Sequence, residues 1–585
     1  MQLENKTVFV DNFEHIGFLE DKRDSFLSTI SNLFGQVVLL SNTDLLMPIG
    51  WMSDNGECKR EFVQLRILPM GNLRRMQFIE HWYHLGNEDL ENDSNFCSRI
   101  EHAKQIIDEI LGNQARFIPA VPIHMINILQ NIDGLAGSTQ SISEYGYLFD
   151  SLIKRNLSAI ENTTVQMIGI YIEILSAIAF DMLQQKSYSF SERDLHQSIK
   201  RYKEKYKLKI DATILVQRLA EAKMIRKDSI GKYHFSYSYI FYYFVGRYIS
   251  EHISDKTVED KIYEMSTHLY IEAYGNIMVF VCYFANSNQI IETVLLNAYS
   301  LFENIEPFDF SKHSDFQDSI NETIEKTLRP QIVGEDSDVP RQKKEALIRR
   351  DENKIGDGTA KESHDSEFSD VDESESKIAM FSNAMKTMDV LGQIVTNYPG
   401  KIDGDMKCSI VDEIHQLGLR VITSYFDVFG YLQEGIITML AEYARERDAN
   451  AQLDEIISYV KMIFARMLSI ITGGLIQRIA HLIGSEHLDI VNEETLAHSN
   501  SISGKLILFE IAFNKLNSPH YSEAIDEYKE LKKRKLLFAA SILQGIVATY
   551  LKYHKCKTET RDRVCSEMGL SKKDIIVSNM RALND

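Results

Sequence analysis

The sequence is poor in cysteine and proline, and both shortages limit what the chain can be. Its six cysteines are spread over 585 residues without a C-x-x-C pair. This scatter argues against a zinc site and a disulfide framework, and we expect a reducing cytosol as the compartment. Nine prolines and 29 glycines are also few for this length, so we expect long helices rather than a many-stranded β sandwich.

An excess of positive charge and a clear membrane-type apolar run are also missing. The formal net charge is −20, which argues against a chain that coats nucleic acid but leaves room for a local basic face. The most apolar windows are residues 277–285 and 462–477. The first is too short to span a bilayer and the second contains Arg466, so we expect two buried core helices and a cytoplasmic protein without a membrane span.

The most informative stretch is residues 7–12, in which three apolar β-formers run into Asp11. We expect a buried strand that carries Asp11 to the edge of a sheet, where P-loop NTPases hold the carboxylate that orients Mg²⁺. The next residue is Asn12, which can orient a water molecule but cannot accept its proton at neutral pH. Taken alone, this motif also fits a turn or a helix cap.

A second apolar strand is predicted at residues 37–40, and it ends in Ser41 and Asn42. P-loop folds place a γ-phosphate sensor at this point, although an ordinary turn gives the same pattern. A predicted helix at 21–34, closed by Gly35, connects the two strands, and residues 62–69 predict a third strand. This order indicates a parallel α/β sheet. The 585 residues nevertheless contain no G-x-x-x-x-G-K-[ST] phosphate loop.

From residue 73 onward the apolar spacing is almost wholly helical, and residues 164–252 form a distinct unit. Ser191 and Asp194 fit a capping box at the start of one helix. A second helix is predicted at 211–222, followed by a hairpin built from 224–226 and 232–235. Two helices followed by a short hairpin are the outline of a winged helix. Six basic residues could give this unit a DNA-binding face: Arg193, Lys200, Arg201, Lys203, Lys205 and Lys207.

The second half of the chain divides at an acidic segment. Residues 330–377 are rich in Asp, Glu and Ser, and we expect a mobile linker there. Strong helical periodicity then returns. It predicts one helix at 380–398, two within 406–447, and others at 454–483, 503–516 and 531–553. No repeat of about 34 or 40 residues is evident, so a helical bundle or an irregular solenoid is expected.

Five motifs, taken in order, resemble the STAND class of P-loop NTPases, which are relatives of NACHT and NB-ARC proteins. They are the strand ending in Asp11, the polar step at Ser41 and Asn42, the segment 67–73 with the helix that follows, the proline at Pro122, and the aromatic run 235–244. The resemblance covers residues 7–252 and is carried by order more than by any one motif. The aromatic run is its most specific part, because it is similar to the F-x-H-x-x-F-x-x-Y-F ending of NACHT-type winged helices. Tyr237 occupies the place of the family's nucleotide-contacting histidine, and His234 lies three residues earlier.

The resemblance implies a mainly α fold with a partial α/β P-loop NTPase sheet at its N-terminus. It implies six segments: a partial NTPase core at 1–72, a helical lid at 73–163, a winged helix at 164–255, a helical extension at 256–329, the acidic linker at 330–377, and a C-terminal helical sensor or interaction domain at 378–585. The implied cofactors are ATP and Mg²⁺.

Each implied site residue depends on a phosphate loop supplied from elsewhere. Asp11 would serve Mg²⁺ with Asn12 beside it, Ser41 or Asn42 would sense the γ-phosphate, and Pro122 would pack on adenine. Tyr237 would stand at the histidine position. Without the phosphate loop and its lysine, most of the hold on the triphosphate is lost. We therefore expect the chain alone to be an incomplete ATPase module that neither binds ATP tightly nor hydrolyses it.

The implied function is that of the C-terminal part of a bacterial STAND switch in anti-phage defence. The expected partners are further copies of the chain and either a protein trigger or a missing N-terminal half, and we expect neither DNA nor a membrane as a partner. Two alternatives remain open at this point. One is a winged-helix transcription regulator with a helical ligand-sensing half, and the other is a non-catalytic helical scaffold built on a decayed NTPase.

Overall fold

The computed structural model describes residues 3–11, 20–40, 51–52, 58–60, 65, 67, 69–85, 96, 99–100, 103–104, 107, 120–135, 145–228, 230–285, 288–312, 315–327, 377–398, 400–446, 453–497, 501–554 and 556–571. These residues are mainly helical. The chain divides into two compact units, the first comprising Met1–Pro69 and Ile153–Ile240, the second Met70–Leu152 and Phe241–Asp585. The predicted acidic linker lies outside the described residues apart from its last position.

A strand–helix–strand arrangement opens the first unit. Strand β1 (Leu3–Val10) pairs in parallel with β2 (Phe34–Leu39), and helix α1 (Glu20–Leu33) connects them. Leu27 and Ile30 of the helix are buried against apolar side chains of both strands. The parallel pair confirms the predicted order. Gly35 does not cap the helix as predicted, because β2 has already begun at Phe34.

The remainder of the predicted N-terminal sheet is only partly described. Strands β3 (Trp51–Met52) and β4 (Cys58–Arg60) pair antiparallel. The third strand predicted at 62–69 falls mostly outside the described residues. Leu65 and Ile67 are described, lie in no strand and are 85% and 92% exposed. The prediction of a buried strand is therefore wrong at these two positions, which no described neighbour covers.

Among the described residues, three helices with defined bounds follow in the chain. They are α2 (Asn72–His84), α3 (Pro122–Leu135) and α4 (Tyr145–Ser158). The Met70 amide donates to the Ala120 carbonyl at 2.8 Å. This bond holds the segment that leads into α2 next to Ala120, which lies two residues before Pro122.

The first unit continues with three helices and a three-stranded sheet. Its elements are α5 (Val165–Gln184), β5 (Ser189–Phe190), α6 (Glu192–Tyr206), α7 (Ala212–Glu221), β6 (Ile225–Lys227) and β7 (Tyr233–Phe235). The sheet is antiparallel in the order β5–β7–β6. Ser191 caps α6 by accepting from the Asp194 amide at 3.2 Å, and Asp211 caps α7. Both helix starts agree with the sequence because caps are local signals.

Long helices make up the second unit beyond residue 240. In chain order the elements are α8 (Ser238–Glu251), α9 (Lys256–Thr267), α10 (Glu272–Phe284), α11 (Asn288–Ser300), α12 (Asp315–Thr327), α13 (Lys377–Asn397), α14 (Gly404–Glu446), α15 (Leu453–Ile483), α16 (Asp489–Asn492), α17 (Ile502–Glu510), α18 (Tyr521–Lys533), α19 (Leu537–Tyr553) and α20 (Thr558–Met568). A π-helical segment, Ile511–Lys515, directly follows α17.

Two helix boundaries differ from those predicted. The region 406–447 was expected to form two helices but forms the single 43-residue helix α14. Gly418 lies within this helix. A Cβ there would lie 2.5 Å from the Ile479 side chain, so the glycine permits close packing against α15. The helix predicted from residue 531 instead begins at Leu537, after Lys535 takes a left-handed conformation with φ 59°.

Two described helices are long and apolar enough to cross a membrane on those criteria alone: Val165–Gln184 and Asp454–Ile483. One or two such helices are weak evidence, because core helices pass the same test. Half of the first window is buried, but only 22% of the second is. The prediction of a buried core helix at 462–477 is therefore wrong, since this part of α15 leaves Met467 and Ile470 exposed. The apolar window at 277–285 is buried in α10, as predicted.

Candidate functional site

Asp11 lies directly beyond the end of β1 and is exposed. Val10 is paired with Leu39, and the Leu40 amide donates to the Val10 carbonyl at 2.8 Å. The carboxyl ends of the two parallel strands therefore meet at one edge. The strand that leads to Asp11 is not buried as predicted, because Phe9 is 67% exposed. Asn12, Ser41 and Asn42 lie outside the described residues.

Pro122 is the first residue of α3 and is exposed. A proline suits this position because the first-turn amides of a helix have no partner within the helix, and its fixed φ matches a helical start. The same feature accounts for the proline without a ligand. Pro122 belongs to the second unit, whereas Asp11 and Tyr237 belong to the first.

Tyr237 precedes α8 and is half-buried against Tyr239, with ring centroids 5.7 Å apart and planes inclined by 13°. Burial raises the pKa of the Tyr237 phenol, although Arg226 opposes this effect. The group is therefore neutral at physiological pH. It can donate or accept a hydrogen bond but cannot carry the positive charge that a histidine can.

His234 is engaged in the hairpin that joins β6 to β7. Its Nε2 lies 2.7 Å from Asp228 Oδ2, while Asp228 Oδ1 accepts from the amides of Ile230 and Lys232. Burial of Asp228 raises its pKa, but these hydrogen bonds outweigh burial and hold the pKa below its usual value. The sequence marked Asp228 only as a turn residue. The presence of His234 six positions later was the signal that could have indicated the Asp228–His234 contact.

Most of the aromatic run forms core. Five of its members are at most 2% exposed: Tyr239, Phe241, Tyr242, Tyr243 and Phe244. In the second unit, the Tyr243 hydroxyl donates to Asp150 Oδ1 at 2.6 Å, and burial raises the pKa of this phenol well above its usual value. The run therefore fixes α8 against its surroundings, which accounts for its aromatic composition through packing.

Several basic residues of the helix–hairpin module are paired with acids. Arg201 donates to Asp181 at 2.7 Å, and Lys227 contacts Glu192 at 2.9 Å. Arg218 of α7 donates to the Tyr171 hydroxyl at 3.0 Å. Of the six basic residues predicted to give a DNA-binding face, Arg201 and Lys200 therefore have acidic partners, since Lys200 contacts Glu204 at 3.8 Å.

Within the described parts of the chain, no group of three or more His, Cys, Asp or Glu side chains is arranged to hold a metal ion. His81 and His84 each direct Nδ1 to a backbone carbonyl one turn earlier, at 2.7 and 2.8 Å. This pair is thus engaged within its own helix.

Comparison with known proteins identifies one segment. Residues 188–245 match the model of a family described as Novel STAND NTPase 4. The match begins at the strand β5 region, covers α6, α7 and the hairpin, and ends in α8. No curated protein matches the chain. The match supports a STAND-type protein and, in general terms, the use of a nucleotide and magnesium.

Proposed function

We propose that this chain is part of a STAND NTPase signalling switch in which residues 188–245 act as a winged helix that closes on bound nucleotide. The observation that carries this proposal is the family match to that segment. The order of two helices, a hairpin and an aromatic helix supports the winged-helix assignment. Arg201 and Lys227 form ion pairs with acidic residues of the chain. These pairs favour a domain that packs within the protein over one that binds DNA.

The nucleotide chemistry is assigned to the edge where β1 and β2 end. Asp11 would orient Mg²⁺ there, with Ser41 or Asn42 near the γ-phosphate, Pro122 at the adenine and Tyr237 at the winged-helix contact. The chain's 585 residues lack a phosphate loop, so in this proposal another segment or another polypeptide supplies it. ATP and Mg²⁺ are bound only in that completed form, and the chain alone does not hydrolyse ATP.

The rest of the proposal follows the logic of a two-state switch. Closure on nucleotide would hold an off state, and opening would allow self-association. The helices beyond residue 377 would sense the trigger, which we take to be a protein. We propose bacterial anti-phage defence in the cytoplasm as the setting, by analogy with the family that residues 188–245 match.

The test compares the protein from its source cells with the 585-residue chain expressed alone. Intact mass and peptide mapping should reveal additional sequence that contains a G-K-[ST] loop. That longer protein should bind MgATP in a calorimetric titration, and Asp11→Ala should abolish the binding. The chain alone should show no saturable binding up to about 1 mM MgATP.

Two outcomes would contradict the proposal. Asp11-dependent ATP hydrolysis by the chain alone would show that a phosphate loop is not required. A source protein without such peptides, which also fails to bind MgATP in the presence of its cellular partners, would favour a non-catalytic scaffold.

A further inference from the structure

A cavity of about 540 Å³ opens among four helices of the second unit. Residues of α12, α15, α17 and α19 line it. Ile470, Ile542 and Ile546 give it apolar walls, and Arg466, Gln477 and Glu510 add polar groups. This volume falls within the range of small-molecule sites, which combine apolar walls with a few placed polar groups.

Two adjacent glycines in the middle of α15 help to keep the cavity open. Gly473 and Gly474 both line it, and a Cβ built on either would meet nothing within 4 Å. Close helix packing therefore does not require glycine at these positions. Because glycine in a helix interior is destabilising by about 0.5–1 kcal/mol relative to alanine, the pair lowers helix stability while leaving space in the cavity.

Glu510 contributes a buried carboxylate to this cavity. The residue is 6% exposed, and Asn514 Nδ2 donates to its Oε2 at 2.9 Å. Within the described chain, no lysine, arginine or histidine forms an ion pair with it. Glu413, the other glutamate buried to this degree among the described residues, contacts Arg420 at 2.5 Å. A buried charge without a partner is costly, so the ionised form of Glu510, unlike that of Glu413, would be stabilised by a cation placed in the cavity.

The surroundings of Glu510 agree with a binding role. Burial raises the pKa of this carboxyl to about 7, although the hydrogen bond from Asn514 opposes the effect. The residue also ends α17, where the backbone changes to the π-helical segment Ile511–Lys515. π-helical insertions occur frequently at functional sites because they redirect side chains.

We propose that this cavity binds a small organic monocation, whose ammonium group pairs with Glu510 and whose apolar body packs on Ile470, Ile542 and Ile546. Exposed Arg466 places a positive charge on the solvent side of the lining. A ligand with a second cationic group at that end would be repelled, which favours a monoamine over a polyamine. The site lies wholly within the second unit and does not depend on nucleotide binding.

The test uses the full chain and three probes of one shape: phenylbutylamine, phenylbutanol and phenylbutanoate. Calorimetric titrations are run at pH 8 in phosphate, because Tris would itself be an amine. The amine should bind at least about tenfold more tightly than the alcohol, and the carboxylate should bind least. Failure of the amine to bind with a Kd below about 1 mM, or equal affinity for amine and alcohol, would overturn the proposal.

Three variants separate a binding role from a structural one. Glu510→Gln should remove the preference for amine over alcohol while leaving alcohol binding unchanged. Gly473→Leu, which places a side chain in the open space, should abolish the binding of both probes. Glu523→Gln, an exposed acid outside the cavity, should behave like the native chain. Retention of amine preference in Glu510→Gln, or of tight binding in Gly473→Leu, would place the amine elsewhere.

Discussion

At the scale of single residues, the buried pair Glu413–Arg420 is the clearest electrostatic constraint on the fold. Arg420 contacts the glutamate at 2.5 Å and also donates to the carbonyls of Leu301 and Ala298 at 3.1 and 3.3 Å. These contacts fix α14 to the C-terminal part of α11 and the turn after it. The arginine thus links one buried charge to two backbone acceptors, and the Ala298 carbonyl also accepts from the Leu301 amide at 3.1 Å.

Replacing this arginine should open the contact between α11 and α14. We expect Arg420→Met to destabilise the region by about 3 kcal/mol, because an uncompensated carboxylate would remain buried. Burial already raises the pKa of Glu413 despite Arg420, so proton uptake would limit the loss. Hydrogen exchange of α14 peptides should then accelerate by about two orders of magnitude.

A surface ion pair provides the comparison for that variant. Lys312 contacts Glu306 at 2.9 Å, but both side chains are well exposed. Lys312→Met should leave exchange in α14 unchanged, because water screens such pairs. Equal effects of the two substitutions on exchange would show that the buried pair contributes no more to stability than the exposed pair.

Glu510 gives a second prediction, for the pH dependence of stability. Its pKa is about 7 in the folded chain and near 4.5 when unfolded. Between these values the folded state holds a proton that the unfolded state has lost, so stability falls as pH rises from 4.5 to 7. The Glu510→Gln variant lacks this pH dependence because glutamine does not titrate. Its stability relative to the native chain should increase by on the order of 2–3 kcal/mol over this interval.

Urea unfolding at pH 5 and pH 8, monitored by hydrogen exchange in α17, would measure that difference. Burial lowers the pKa of His415 and His481 to about 4, and both add their own acid dependence. Their contributions cancel when the variant is compared with the native chain at each pH. A difference that is constant with pH would contradict the raised pKa of Glu510.

At the scale of elements, the contact between α8 and α10 depends on a missing side chain. A Cβ on Gly246 would lie 2.5 Å from Phe280 Cβ and 3.0 Å from backbone atoms of α10. These backbone atoms cannot move aside as the end of a flexible side chain can. Gly246→Ala should therefore destabilise the second unit by about 1–3 kcal/mol through overpacking.

A matched glycine in α14 should respond in the opposite direction. A Cβ on Gly435 would meet nothing within 4 Å, so Gly435→Ala should stabilise the helix by about 0.5–1 kcal/mol. Thermal unfolding of the two variants followed by circular dichroism gives the signs. Equal signs would show that helix propensity, and not the approach of α10, decides the result at Gly246.

The sequence predicted elements well where the signal was local. Ser191 and Asp211 marked helix starts through their capping side chains, and short apolar runs located β1 and β2. It was wrong where the outcome depended on distant residues. The close packing of α14 on α15 involves Ile479 at Gly418, a contact between positions 61 apart that spacing within one helix does not reveal.

The candidate sites differ in the same way. Asp11 at a strand edge followed from a short apolar run, because parallel strands bring their carboxyl ends together. The cavity at Glu510 was missed because four helices distant in sequence build it. Its local signals were two adjacent glycines in α15 and one acid at the end of the largely apolar helix α17, and neither signal identifies the residues around it.

At the scale of the whole molecule, charge decides between a signalling switch and a DNA-binding regulator. The chain carries a net charge of −20, and two basic residues of the helix–hairpin module form close ion pairs with acids. Arg201 pairs with Asp181, and Lys227 with Glu192. Contact with phosphates would require these pairs to separate as well as counterions to be released. We therefore expect the chain to bind duplex DNA more weakly than about 10⁻⁴ M at physiological salt.

Fluorescence anisotropy with a labelled duplex at low and physiological salt would measure this affinity. The double variant Asp181→Asn, Glu192→Gln frees Arg201 and Lys227, and it should bind DNA more tightly than the native chain. Two additional phosphate contacts would steepen the dependence of log K on log salt by about 1.8. If the native chain already binds tightly with a steep salt dependence and the double variant adds nothing, the acidic partners do not mask the basic face. The regulator would then be the better account of residues 188–245, because the same helix–hairpin module would be directed at DNA rather than closed on a nucleotide.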